Sequence, residues 1–163
     1  MFGTGKTIIV YYSLEGHSKT VADAIKNEFG YDVLELKPQK EIKAKGFGKF
    51  FFGGKQAMFG EEIELKSYDI NINNYDNIII GTPVWASRYA PAFNTFFSKE
   101  KIFGKNIAMY CTCAGSSGKT FELMKDKLKG NVIIGHETFC EKNLKEQNDF
   151  AVRAVEWMKS ILD

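Results

Sequence analysis

Four short runs of apolar, largely β-branched residues constrain this chain more than any other feature: residues 7–12 (TIIVYY), 77–82 (NIIIGT), 106–112 (NIAMYCT) and 131–135 (NVIIG). Each is apolar at consecutive rather than alternate positions. A strand built this way has no wet face and needs cover on both sides, as helices give to the central strands of a parallel sheet. Residues 31–36 (YDVLEL) alternate instead and read as a fifth, less buried strand.

Helical patterns lie between these runs. In residues 18–29, Val21, Ile25 and Phe29 recur every fourth position with Ala22 beside them, while Lys19, Asp23, Lys26 and Glu28 stay on the wet side. Phe121, Met124 and Leu128 form a second stripe behind Thr120, which can cap. Ala151, Ala154, Val155, Met158 and Leu162 form a third. The order β-α-β-(α)-β-α-β-α-β-α specifies a doubly wound α/β domain over residues 1–163, because right-handed crossovers place helices on both faces of one parallel sheet. The irregular stretch is 40–67. Its aromatic part holds Phe47, Phe50, Phe51, Phe52 and Phe59 among Lys45, Lys49 and Lys55, and reads either as one face of a packed helix or as an exposed patch.

Composition narrows the function classes. The 22 basic and 20 acidic residues leave a net charge of +2, with no basic cluster interleaved with aromatics, so nucleic acid is not an expected partner. No apolar run approaches the roughly 20 residues that span a bilayer, and the N-terminus lacks signal-peptide organisation, which leads us to expect a cytoplasmic protein with no membrane partner. Cys111, Cys113 and Cys140 match neither a zinc nor a disulfide framework and read as reduced thiols. His136 gains no role.

Open parallel sheets bind ligands outside the carboxyl ends of their strands. Three loops occupy such ends here. SLEGHSKT (13–20) runs from the first strand into a helix, and exposed amides, hydroxyls on Ser13, Ser18 and Thr20, and space at Gly16 suit a monophosphate; His17 can donate a hydrogen bond, and Lys19 can soften the field. The same serines can equally serve as helix caps. TPVWASRYAP (82–91) follows the third strand and brings Trp85, with Arg88 and Tyr89 as weaker candidates. CAGSSGKT (113–120) follows the fourth.

The last loop ends like a triphosphate-binding loop but fails its test. In G-x-x-x-x-G-K-[ST], with Gly118 as second glycine, the first falls on Cys113, and Asp76 precedes its strand instead of following it to hold magnesium. GTGKT at 3–7 lies before the first strand with no helix after it. Neither stretch is expected to hold a nucleotide triphosphate.

Taken together, YYSLEGHSKTVADAI, GTPVWASRYAP and YCTCAGSSGKTFE resemble the flavin loops of the flavodoxin family, over nearly the whole chain. The resemblance implies a flavodoxin-like three-layer sandwich with a five-stranded parallel sheet in the order 2-1-3-4-5. It also implies non-covalently bound FMN. Carried over residue by residue, it puts Ser13, Leu14, Glu15, Gly16, His17 and Ser18 around the phosphate. Thr82, Pro83, Val84 and Trp85 fall on the second loop, with Trp85 stacking on the isoalloxazine. Thr112, Cys113, Ala114, Gly115, Ser116 and Gly118 fall at the pyrimidine edge.

Departures from the family pattern carry their own implications. His17 stands where Asn is usual, and Glu15 puts a carboxylate where a phosphate is expected, so its side chain should turn outward or pair with a base. Ala86 and Ser87 stand where a glycine would ease a peptide turn toward flavin N5, implying a less stabilised one-electron state. The third loop has no aromatic, which leaves one flavin face bare. Flavodoxins are commonly acidic and this chain is not, so its partners should differ.

Three functions are compatible with these features. One is an FMN electron carrier working with a redox partner protein or a small-molecule electron acceptor, as a monomer or weak homodimer. The second is an FMN-dependent oxidoreductase that reduces a small substrate such as a quinone with NAD(P)H. The third is a phosphate-binding module without flavin.

Overall fold

The computed structural model describes residues 2, 4–40, 60–141 and 148–163, with the backbone alone at 148. Its centre is strand β1 (Thr7–Tyr11), buried along its whole length. β1 pairs in parallel with β2 (Asp32–Glu35) on one side and with β3 (Asn77–Trp85) on the other. A short β4 (Arg88–Tyr89) folds back antiparallel on the end of β3. β5 (Asn106–Cys113) and β6 (Val132–Cys140) then extend the sheet in parallel, giving the order β2-β1-β3-β5-β6. With the β4 arm set aside, these are five parallel strands in the expected order 2-1-3-4-5.

The unbroken apolar runs are explained by the two cores they feed. Because successive side chains point to opposite faces of a strand, Ile8, Val10, Ile78, Ile80 and Met109 enter one core. There they meet helices α2 (Ala92–Lys99) and α3 (Thr120–Lys127) through Phe93, Phe96 and Met124. Ile9, Tyr11, Ile79, Ala108 and Tyr110 enter the other, against Val21 and Ile25 of α1 (His17–Phe29) and Ala154 and Met158 of α4 (Asn148–Leu162). Helices therefore cover both faces.

Two local expectations are corrected. β3 runs on to Trp85, beyond the apolar run that announced it, because its end is held by the hairpin to β4. Thr120 does not cap: it is the first helical residue of α3, behind Lys119, and its hydroxyl is fully buried without a hydrogen-bond partner. At the described end of the segment 40–67, Leu65 forms an antiparallel bridge with Pro38. The segment's aromatic part, with Phe47, Phe50, Phe51, Phe52, Phe59 and the lysines among them, lies outside the described residues, as does the bracketed helix. Among the described residues no helix is long and apolar enough to cross a membrane.

The two false phosphate motifs have structural roles of their own. Asp76 accepts a hydrogen bond from the Lys6 amide at 3.0 Å and returns its own amide to the Lys6 carbonyl at 2.9 Å. A side chain at Gly5 would strike the Asp76 carboxylate at 2.1 Å. GTGKT thus staples the starts of β1 and β3, at the end of the sheet away from the ligand loops.

One close approach in the core bears directly on the ligand end of the sheet. A Cβ at Gly81 would lie 2.0 Å from the ring of Tyr110, which is fully buried on the neighbouring strand. Gly81→Ala is expected to lower the unfolding free energy by at least the 1–3 kcal/mol (approximately) typical of overpacking. Chemical denaturation checks this, and an unchanged midpoint would contradict the packing described.

Candidate functional site

The carboxyl ends of β1, β3 and β5 open onto one cleft of about 180 Å³. At its first wall the chain leaves β1, passes Gly16 in a left-handed conformation (φ +99°) and enters α1. The Ser13 hydroxyl accepts from the amides of Gly16 (3.1 Å) and Lys19 (3.3 Å), and the Thr20 amide donates to the Gly16 carbonyl at 2.9 Å. The amides of His17 and Ser18, in the first turn, have no acceptor within the helix. They sit where His17 and Ser18 line the cleft.

Ser18 fixes this turn to the sheet. Its hydroxyl lies 2.8 Å from that of Thr112, and its carbonyl accepts from the Tyr110 hydroxyl at 2.8 Å. Burial holds the Tyr110 phenol well above its ordinary pKa, so it keeps its proton and stays a donor.

The second wall is the β3–β4 hairpin. Trp85 is half-buried and meets Tyr12 edge-on, with ring centroids 5.5 Å apart. Burial pushes the Tyr12 phenol up to about 12. The turn itself is Ala86 (φ 49°) and Ser87 (φ 62°), both left-handed as two-residue hairpin turns require, but without the glycine that adopts this conformation freely. Thr82 serves the same hairpin from below, its buried hydroxyl donating to the Pro83 carbonyl (2.8 Å) and accepting from the Ala90 amide (2.9 Å).

The third wall is the loop after β5. Gly118 takes φ +53°, and a Cβ there would lie 2.6 Å from Ser87, while the Lys119 amide donates to the Ser87 carbonyl at 2.8 Å. The Gly-Lys of CAGSSGKT therefore clamps one ligand loop against another. The Ser116 hydroxyl accepts from the Gly118 amide at 3.1 Å and so shapes the same turn.

Most of the expected residues come together. Ser13, Leu14, Glu15, His17 and Ser18 line the cleft on one side, Pro83, Val84 and Trp85 on another, and Thr112, Cys113 and Ala114 on a third. Gly16, Thr82, Gly115, Ser116 and Gly118 are absent from the lining; Gly16, Thr82, Ser116 and Gly118 shape the loops around it, and the space beside Gly115 is open. Two further expectations are corrected. Lys19 pairs with Asp23 along α1 instead of facing the cleft, and Tyr89 is buried in the core with the Arg88 guanidinium over its ring at 5.7 Å, so neither lines the site. The described lining holds no Lys or Arg.

Glu141 and Phe150 also line the cleft, and sequence reasoning missed both. His17 Nε2 lies 3.0 Å from a Glu141 carboxylate oxygen, and the His17 ring meets Phe150 edge-on at 5.9 Å. The available signals were slight: Glu141 follows the last apolar strand, and Phe150 stands four residues before Ala154 on the inner stripe of α4. Glu15 is exposed where it lines the cleft.

The cysteines overturn the reading of three reduced thiols. Cys113 and Cys140 are directly opposed at the ends of β5 and β6, with Cα atoms 4.7 Å apart, and form a disulfide. Cys111 alone is free; it is buried, and desolvation, with a smaller contribution from Glu137 and partly offset by a hydrogen bond to Thr138, pushes its thiol up to about 12.

Amides at a helix start, a ridge of hydroxyls and a half-buried indole around one cleft fit a ligand that joins a phosphate to a flat, largely apolar ring. The cleft is smaller than the roughly 300–1,000 Å³ of pockets that engulf a ligand, so part of such a molecule would stand outside it.

The chain is similar in overall structure to solved flavoproteins and flavodoxins. A flavoprotein from Lactobacillus acidophilus, solved in complex with FMN, is 28% identical over 83% of this chain and 93% of its own, with a TM-score of 0.72. A protein of Bacteroides eggerthii solved as a candidate flavoprotein matches 98% of this chain and 99% of its own at 19% identity and a TM-score of 0.78. The oxidised flavodoxin 2 of Bacillus cereus matches 95% and 99% at 16% identity and a TM-score of 0.52. The chain has the flavodoxin-like fold, and its structural neighbours are flavoproteins and flavodoxins. No protein-family model matches it.

The strained turn gives a direct test of the hairpin. Ala86→Gly is expected to raise stability by about 0.5–1 kcal/mol, since a left-handed residue with a Cβ costs more than that and part of the gain is lost to the freer unfolded chain. A denaturant melt reads the change, and a loss of stability would contradict the turn.

Proposed function

We propose that this chain binds FMN non-covalently in the cleft and passes electrons through it. The observation that carries the reading is the convergence on one cleft of an amide-bearing helix start and Trp85. The FMN-bound flavoprotein of similar fold supports it. FMN supplies the reversible acceptance and release of electrons, and the protein supplies binding, orientation and a dry surface.

The work of this chain's own residues then divides by wall. The His17 and Ser18 amides, at the positive end of α1, receive the phosphate. The Ser18 and Thr112 hydroxyls, already joined to each other, keep that turn from shifting when the anion arrives. With no Lys or Arg in the described lining, the phosphate end works mainly through backbone dipoles, and the Glu141 carboxylate is turned to His17. Trp85 covers the ring and excludes water from one side. Thr112, Cys113 and Ala114 present the edge of β5 to the ring's polar rim.

A specific observation favours a second reading, an FMN-dependent reduction of a small substrate such as a quinone. The loop from Cys113 to Thr120 carries no aromatic, and the cleft, at about 180 Å³, is small for a whole flavin, so a substrate could reach it. Anaerobic stopped-flow separates the two: turnover of NAD(P)H with a quinone selects the enzyme, and its absence selects the carrier.

The visible spectrum tests the shared premise. Purified protein, or apoprotein incubated with FMN, is expected to show protein-bound flavin bands; none after incubation would overturn both readings. Trp85→Ala is expected to weaken FMN binding about fivefold or more, equivalent to about 1 kcal/mol. An unchanged affinity in a fluorescence titration removes Trp85 from the site.

A further inference from the structure

We propose that the Cys113–Cys140 disulfide is a second two-electron redox centre, which takes its electrons from the reduced flavin bound in the same cleft. This inference rests on the FMN reading above.

Position favours it first. The disulfide lies at the carboxyl ends of β5 and β6, the edge of an open parallel sheet where ligands bind, and not at the opposite edge where a purely structural link would serve equally well. Cys113 lines the cleft together with Thr112 and Ala114, and Glu141, which follows Cys140 directly, lines it too. Whatever fills the cleft therefore borders Cys113, one half of the pair, with Cys140 behind it.

Access favours it second. Cys113 is 9% exposed and Cys140 4%, so protein thiols in solution have almost no surface to attack, and Cys113 is approached from the cleft. A ligand in the cleft then stands between the disulfide and any external thiol. Electrons reach it by way of that ligand.

Third, the link is not needed to bring its strands together. Cys113 and Cys140 are the last of a continuous series of β5–β6 partners, already placed by backbone pairing. Nor does the third cysteine compete for the pair. Cys111 is buried with its thiol kept protonated, its sulfur 3.8 Å from the Thr138 hydroxyl, so it supplies no thiolate for exchange.

The step balances. A dihydroflavin gives up two electrons and two protons and returns to oxidised flavin; the S–S bond breaks, and each sulfur gains one electron and one proton to become a thiol. Run backwards, two thiols reduce the oxidised flavin.

Electron counting with thiol counting tests the proposal on the full chain. Protein purified in air is denatured in N-ethylmaleimide and weighed; one label, on Cys111, is expected, and three labels would overturn the disulfide. The FMN-loaded protein is next titrated anaerobically with dithionite. About four electrons per FMN and three labels are expected, against about two electrons for Cys113→Ser/Cys140→Ser. Uptake of two electrons by the wild type, with one label remaining, overturns the proposal and needs no variant to fold. Three labels after dithionite treatment of apoprotein also overturn it, because the electrons then bypass the flavin. A chain that takes up no FMN fails at the loading step instead, which is the failure of the cofactor reading.

Discussion

The site depends on how Ser18 is held. A helix whose first turn is to receive an anion must present its amides at a fixed place, and nothing within the helix fixes them. Here the fixing comes from β5. Tyr110 donates to the Ser18 carbonyl, and Thr112, two residues on and so on the same face of the strand, meets the Ser18 hydroxyl. Both bonds are buried, where a lost partner leaves a polar group unsatisfied at a cost of about 1–3 kcal/mol. Tyr110 reaches that far because Gly81 leaves room for its ring. One glycine on β3, one phenol on β5 and one serine on α1 thus set the geometry of the α1 start.

Electrostatics follow the same economy. The cleft places Glu15 at an exposed rim and Glu141 against His17, with no Lys or Arg on its described lining. In the proposed reading, recognition rests on oriented dipoles, which favour an anion of fitting shape over anions in general. A nearly neutral chain has little long-range field to steer a charged partner.

The fold was legible because its signal is redundant. Runs such as Ile78–Ile80, apolar on both faces, require a covered parallel sheet wherever they occur, and the stripes of α1 and α4 required the same. The loop residues that touch the cleft were legible through strand order, since each follows an apolar run. Elements depending on tertiary approach were not. Nothing in the local sequence says that Ala86 and Ser87 adopt positive φ, because the turn is imposed by β4 pairing back on β3. Thr120 looked like a cap because hydroxyls usually are, yet the chain enters α3 one residue earlier, under the pull of the Lys119–Ser87 bond. Cys113 and Cys140 stand 27 residues apart, and only the β5–β6 register makes them partners. Phe150 was hidden because a helix stripe reports burial without reporting which cavity lies beneath it.

The bond between the Lys119 amide and the Ser87 carbonyl makes the hairpin a latched element. In isolation, a two-residue turn of alanine and serine with both φ positive would relax toward less strained backbone. Here the carbonyl beside that turn is already committed to the start of α3, and Gly118 packs against Ser87 with no room for a side chain. Reorienting the peptide between Ala86 and Ser87 therefore means disturbing the α3 entrance as well. Motion of the hairpin is coupled to α3, which packs against β4, and a change in either loop is felt as a mechanical load on the other.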